Sequence, residues 1–211
     1  MSNPAIRALI FDFGGVLVHT ASEDSRNRLA AKFGLSSAEL DAAVYESQDG
    51  KLAEIGVISS EEHWRRIFAR FGVHAPEDQE AFMRDFYGGD CLDEELVERI
   101  RAWRGPLRTA MLSNASDSLD RYARETLHLD EAFDEMIISA QVGVAKPDAI
   151  IYRLALDRLQ VCAQEAVFVD DRADNVAGAA ALGIHAIQFD SRDGVLTRIE
   201  RLIGASEDAQ G

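Results

Sequence analysis

The sequence predicts an α/β fold in which a mostly parallel sheet, covered by helices on both faces, is interrupted after its first strand by an all-helical insertion. Three observations carry that prediction. After residue 105, short and almost wholly apolar runs alternate with helical patterns, the grammar of βαβ units whose strands are buried on both faces. Between about residues 22 and 104 the apolar residues instead recur at helical spacing. Finally, the apolar runs ALIF, TAML, VGVA and AVFV each end in polar residues: Asp12, Ser113 with Asn114, Lys146, and Asp170 with Asp171. The strand carboxyl ends of an open parallel sheet meet at one crevice, so these residues are expected to face a single ligand.

Ile6 to Phe11 reads as a buried strand entering a Gly14-Gly15 turn and a short apolar continuation, Val16 to Val18. The helical block follows. Ser36 is a candidate cap, Ser59 with Glu62 is a capping box opening a helix through Phe71, and Pro76 suits the first turn of the next helix. A block this long cannot serve as a crossover, so a separate lobe over residues 19–104 is expected, with its last helix, Asp93 to Arg104, returning to the sheet. The core then comprises residues 1–18 and 105–211. Its strands are expected at Leu107 to Leu112, Met136 to Ser139, Ala166 to Val169 and Ile184 to Phe189. Its helices are expected at Asp117 to Leu127, Pro147 to Leu159, Ala173 to Leu182 and up to Ile203, before a frayed tail, ASEDAQG. The chain crosses between lobes near residues 18 to 22 and 104 to 106, where hinges are expected.

A chain of 211 residues with 47% hydrophobic content has material for a core. Its net charge of -15 argues against a nucleic-acid partner, which would need clustered cations. Cys91 and Cys162 lack disulfide or zinc spacing and read as buried, inert thiols. The five histidines show no ligand spacing, and only His19 lies near the proposed site. No secretion signal and no apolar stretch long enough to span a bilayer are visible, so a cytoplasmic location is expected.

Each polar cluster has an ordinary reading as well. Asp12 before two glycines is a common turn, Ser113 and Asn114 could cap the following helix, and Asp170 and Asp171 could cap theirs. Together they read differently. Asp12 can be a nucleophile, Ser113 and Asn114 hydrogen-bond donors to a phosphoryl group, and Lys146 its neutralising cation. Lysine is scarce here, with only Lys32, Lys51 and Lys146 among 22 basic residues, so its presence at that point suggests a need for a compact ammonium. Asp170 and Asp171 precede Asp174 and Asn175, a density of acids that would repel without a cation. Oxygen-only ligands favour Mg²⁺ over zinc.

The ordered set IFDFGGVL, MLSNAS, VAKPDAIIY and VFVDDRADNVAGAAALGIHAI resembles the four motifs of the haloacid dehalogenase-like hydrolase superfamily. The helical block resembles its mobile cap. Within it the chain is most similar to the glucose-1-phosphate phosphatase-like branch, whose cap segment GVISSEEHWRRIF resembles. The resemblance implies a Rossmann-like core with an inserted α-helical cap and a Mg²⁺-dependent phosphatase acting on a small phosphorylated metabolite, a sugar phosphate being favoured. It further implies that Asp12 attacks phosphorus, that Mg²⁺ is held by Asp12, the Gly14 carbonyl and Asp171 with Asp170 and Asn175 in support, and that Ser113, Asn114 and Lys146 bind the phosphoryl group. Many such phosphatases carry an aspartate, acting as acid and base, where this chain has Gly14. Glycine there leaves open a weakly catalytic or non-catalytic phospho-ligand binder, or a 2-haloacid dehalogenase, although the acidic pair speaks against the latter. His19 is a possible substitute acid, and His63, Trp64, Arg65 and Arg66 are candidate substrate readers.

Overall fold

A computed structural model describes residues 5–207. Strands β1 (Ala8–Phe11), β4 (Arg108–Ser113), β5 (Glu135–Ile138), β6 (Ala166–Asp170) and β7 (His185–Gln188) form a parallel sheet in the order β5-β4-β1-β6-β7, with β1 at its centre. The period-2 geometry of a strand sorts neighbouring residues onto opposite faces. Leu9, Phe11, Met111, Val167 and Val169 join one buried cluster, whereas Ala8, Ile10, Ala110, Leu112, Ala166 and Phe168 join the other. Helices α6 (Glu94–Trp103), α7 (Ser118–Glu125) and α11 (Arg192–Glu207) cover the first face; α9 (Ala149–Leu159) and α10 (Ala173–Ala180) cover the second. Complete burial of a side chain such as Phe11 or Phe168 contributes about 1.5–3 kcal/mol.

The helical block has a core of its own. Helices α1 (Asp24–Lys32), α2 (Ser37–Asp41), α4 (Ser60–Phe71) and α5 (Pro76–Tyr87) bury Leu29, Leu40, Ile67, Phe68, Phe82 and Phe86 together with Val44 of the turn after α2, and Trp64 and Phe33 pack against them. A π-helical turn, Ala42–Glu46, joins α2 to α3 (Gln48–Glu54). Ser36 and Glu39 form the capping box at α2. Ser59 also accepts from the Glu62 N–H, but Glu62 pairs with Arg65 and Arg66 instead of completing a box.

Several expectations require correction. The chain enters the lobe through β2 (Val18–Thr20) and leaves it through β3 (Asp90–Leu92), and these two strands pair antiparallel. The paired strands put the return crossing near residue 90, ahead of the hinge expected at 104–106, and α6, as expected of the returning helix, packs on the sheet through Leu96, Val97 and Ile100. VGVA is no strand: α8 (Ser139–Val142) ends at Gly143, whose left-handed backbone (φ +74°) turns the chain into the loop bearing Lys146. Pro147 precedes helix α9, which begins at Ala149 and is capped by Asp148. Both cysteines are exposed. The final helix runs through Glu207, and the rest of the expected frayed tail lies outside the described residues. No helix among the described residues is long and apolar enough to cross a membrane.

Candidate active site

The sheet brings three of its strand ends together. Asp12 follows central β1 directly, and its backbone N–H still donates to Val169 O on β6 (2.9 Å). Ser113 ends neighbouring β4, and Asp170 ends β6 on the other side. Lys146 reaches the same point from its loop. Its ammonium, fully buried, lies 2.8 Å from Asp12 Oδ1, 2.6 Å from Asp170 Oδ2 and 2.9 Å from Leu112 O. Those contacts commit all three of its N–H donors. Lys146 therefore acts on its surroundings as a fixed buried charge.

The Asn114 side chain has a structural task in this arrangement. Its amide donates to Lys146 O (2.8 Å) and its carbonyl accepts from Lys146 N–H (2.8 Å), so both ends clasp the lysine loop to β4. The Ser113 side chain stays at the crevice, almost fully buried. Asn175 donates to both oxygens of Asp170 (3.0 and 3.1 Å), and the Arg172 N–H donates to Oδ1 (2.9 Å). Asp170 is thus held in place by its neighbours.

Carboxylate oxygens of Asp12, Asp170 and Asp171 lie within 4.8 Å of one another. Burial pushes the Asp12 carboxyl up to about 7; Lys146 pulls it down, and Asp170 opposes that pull. Asp171, at the exposed rim, is also raised, by burial and then by Asp170. Three carboxylates face one ammonium, an excess of negative charge that an oxygen-seeking divalent cation would offset. The donor set therefore fits such an ion, with Asp12 and Asp171 the carboxylates least committed elsewhere. Gly15 keeps that corner open: its φ is +74°, and a Cβ there would meet Asp171 Oδ2 at 2.3 Å. Gly14, by contrast, has nothing within 4 Å of a Cβ position.

The proposed substrate readers lie elsewhere. His63 is buried and bonded through Nε2 to Val44 O (3.0 Å), and Trp64 packs against Phe68, Phe82, Phe86 and Tyr87. Arg65 pairs with Glu62, and Arg66 with Glu62 and Asp49. His19 sits exposed on β2 opposite Cys91. Sequence reasoning missed Ser139, whose hydroxyl accepts from Ala115 N–H (2.9 Å) and donates to Glu54 O (2.5 Å), tying the lobe to the site's edge. Its only signal was its place after an apolar run.

Known proteins resemble this chain in sequence and in fold. The chain is 30% identical to bifunctional epoxide hydrolase 2 of Sus scrofa over 95% of its own length, but spans only 39% of that protein. It is 25% identical to D-ribitol-5-phosphate phosphatase of Bacteroides thetaiotaomicron, covering 87% of this chain and 91% of the relative. A HAD family enzyme from the same organism, solved with magnesium and inorganic phosphate, superposes with a TM-score of 0.74 at 18% identity, over 89% of this chain and 96% of that one. A family model matches residues 6–183, and with the parallel sheet and its converging strand ends this shows that the chain belongs to the haloacid dehalogenase-like hydrolases.

Proposed function

We propose that this protein is a Mg²⁺-dependent phosphatase acting on a small phosphorylated metabolite, with a sugar or polyol phosphate favoured, through an aspartyl-phosphate on Asp12. The observation that carries the reading is the buried Asp12–Lys146–Asp170 triad facing exposed Asp171 at the ends of adjacent strands. The phosphatase relative and the magnesium–phosphate complex support it.

In this reading residues 1–18 and 105–211 carry the chemistry, and the inserted residues 19–104 supply the cap up to β3 and then α6, which packs on the core. Asp12 is the nucleophile. Lys146 holds its carboxylate oriented and offsets charge that builds on the phosphoryl group, as a preorganised electrostatic site does. Ser113 donates to a phosphoryl oxygen, and Asn114 positions Lys146. Asp12, Asp171 and the Gly14 carbonyl would hold Mg²⁺, with Asp170 and Asn175 behind them; the ion, when bound, supplies Lewis-acid stabilisation of the phosphoryl oxygens. The location is read as cytoplasmic, with no nucleic-acid partner.

The test is phosphate release from a panel of sugar, polyol and aryl phosphates, with Mg²⁺ and after chelation, using the wild type and Asp12→Asn. Release that requires Mg²⁺ and disappears in the nearly isosteric variant is expected. Turnover surviving in Asp12→Asn would remove the nucleophile from the scheme.

A further inference from the structure

Expelling an alkoxide from a phosphate ester calls for a proton donor near the leaving oxygen. No ionisable side chain gathered around Asp12 is free to supply it. Lys146 has all three N–H bonds engaged, Asp170 is held by Lys146, Asn175 and the Arg172 N–H, and the Tyr152 hydroxyl donates to Asn175 O. Gly14 carries no side chain, and Asp171 belongs to the cation corner.

One further acid is anchored at the edge of the crevice by the helical lobe. Glu54 closes α3, where the Ser139 hydroxyl grips its carbonyl at 2.5 Å and Gly56 presses backbone to backbone on Ala140, leaving only 2.0 Å between a Cβ there and Ala140 O. Ser139 in turn holds Ala115, two residues beyond Ser113. The Glu54 backbone is therefore fixed to the rim of the crevice. Its half-buried side chain has no hydrogen-bond partner among the described residues, and the charges it senses are Arg172 and Lys146 from the core and Lys51 from its own helix. Helix energetics do not account for it, because an anion is disfavoured at a helix C-terminus. Burial raises its pKa, which lengthens the pH range over which it keeps its proton.

Building on the phosphatase reading, we propose that Glu54 is the catalytic acid and base, presented by the helical lobe at the edge of the crevice that holds Asp12 and Lys146. In the first step an Asp12 oxygen bonds to phosphorus, the ester P–O bond breaks, and the leaving oxygen takes the Glu54 proton to depart as an alcohol. In the second, water adds to phosphorus and gives its proton to the Glu54 carboxylate. The P–O bond to Asp12 then breaks, releasing phosphate and restoring both carboxyl groups.

The experiment compares wild type and Glu54→Gln on an alkyl phosphate that the wild type hydrolyses and on p-nitrophenyl phosphate, whose leaving group departs without protonation. Glu54→Gln is expected to lose about 10²- to 10⁴-fold on the alkyl ester. With the aryl ester it should release one equivalent of nitrophenol in a burst, and intact-protein mass spectrometry should show a phosphate adduct on the enzyme. Adding Gly14→Asp to Glu54→Gln should recover alkyl ester turnover. Unchanged turnover in Glu54→Gln overturns the assignment, as does an equal loss on both esters with neither burst nor adduct, which marks a structural role. A wild type silent on every phosphate overturns the phosphatase reading itself, and this proposal falls with it.

Discussion

Gly14 and Gly15 are neighbours of one residue type, yet the fold places opposite demands on them. Gly15 needs a left-handed backbone and lies against Asp171, whereas Gly14 has neither constraint. Gly15→Ala should cost about 1–3 kcal/mol and weaken the cation corner, while Gly14→Ala should stay within about 0.5 kcal/mol of wild type; urea unfolding of both variants distinguishes them. Much of the site was legible at this scale, because a buried strand that stops at a carboxylate or hydroxyl is visible in a single sequence. Lys146 was found for a mistaken reason: VGVA is apolar enough to mimic a strand, but Gly143 ends a one-turn helix there. Residue type alone also does not reveal that Asn114 bonds the Lys146 backbone through both its carbonyl and one N–H of its amide.

Among the elements, long periodic segments were readable and short ones were not. Helices α4 and α5 announce themselves through repeated aromatic positions, whereas β2, β3 and α8 span three or four residues, too few for a period to emerge. The exposed cysteines show the same limit, since burial of a small residue depends on partners remote in sequence. His63, Trp64, Arg65 and Arg66 were candidate substrate readers, but a helix folding on its own aromatic core consumes His63 and Trp64 internally. Burial lowers the His63 pKa below its usual 6.5, with the Val44 carbonyl opposing. The unfolded chain therefore takes up the proton first as pH falls. The stabilising contribution is complete above pH 6.5 and is lost progressively below it. His63→Gln should flatten that acid-side loss between pH 6.5 and 5, measured as the denaturant midpoint against pH. An unchanged slope would assign the acid sensitivity to other groups.

At the scale of the whole molecule, separate buried clusters support the division into a sheet core and a helical lobe. Only pattern, not contact, pointed to this in the sequence, which sufficed to expect that α6 returns to the sheet but not to place the crossing before it. The paired strands β2 and β3 have a further meaning. Thr20 stands opposite Asp90, and Ala21 N–H donates to Gly89 O (2.8 Å), so the two ends of the inserted segment are side by side. Replacing residues 21–89 by Asn-Gly would convert the ribbon into an ordinary two-residue hairpin. The shortened chain should melt cooperatively by circular dichroism; an unfolded product would mean that the sheet depends on the lobe. Seen this way the ribbon is a genetic socket: modules of unrelated size whose ends lie about one strand spacing apart can be exchanged there without lengthening the route the core must close during folding.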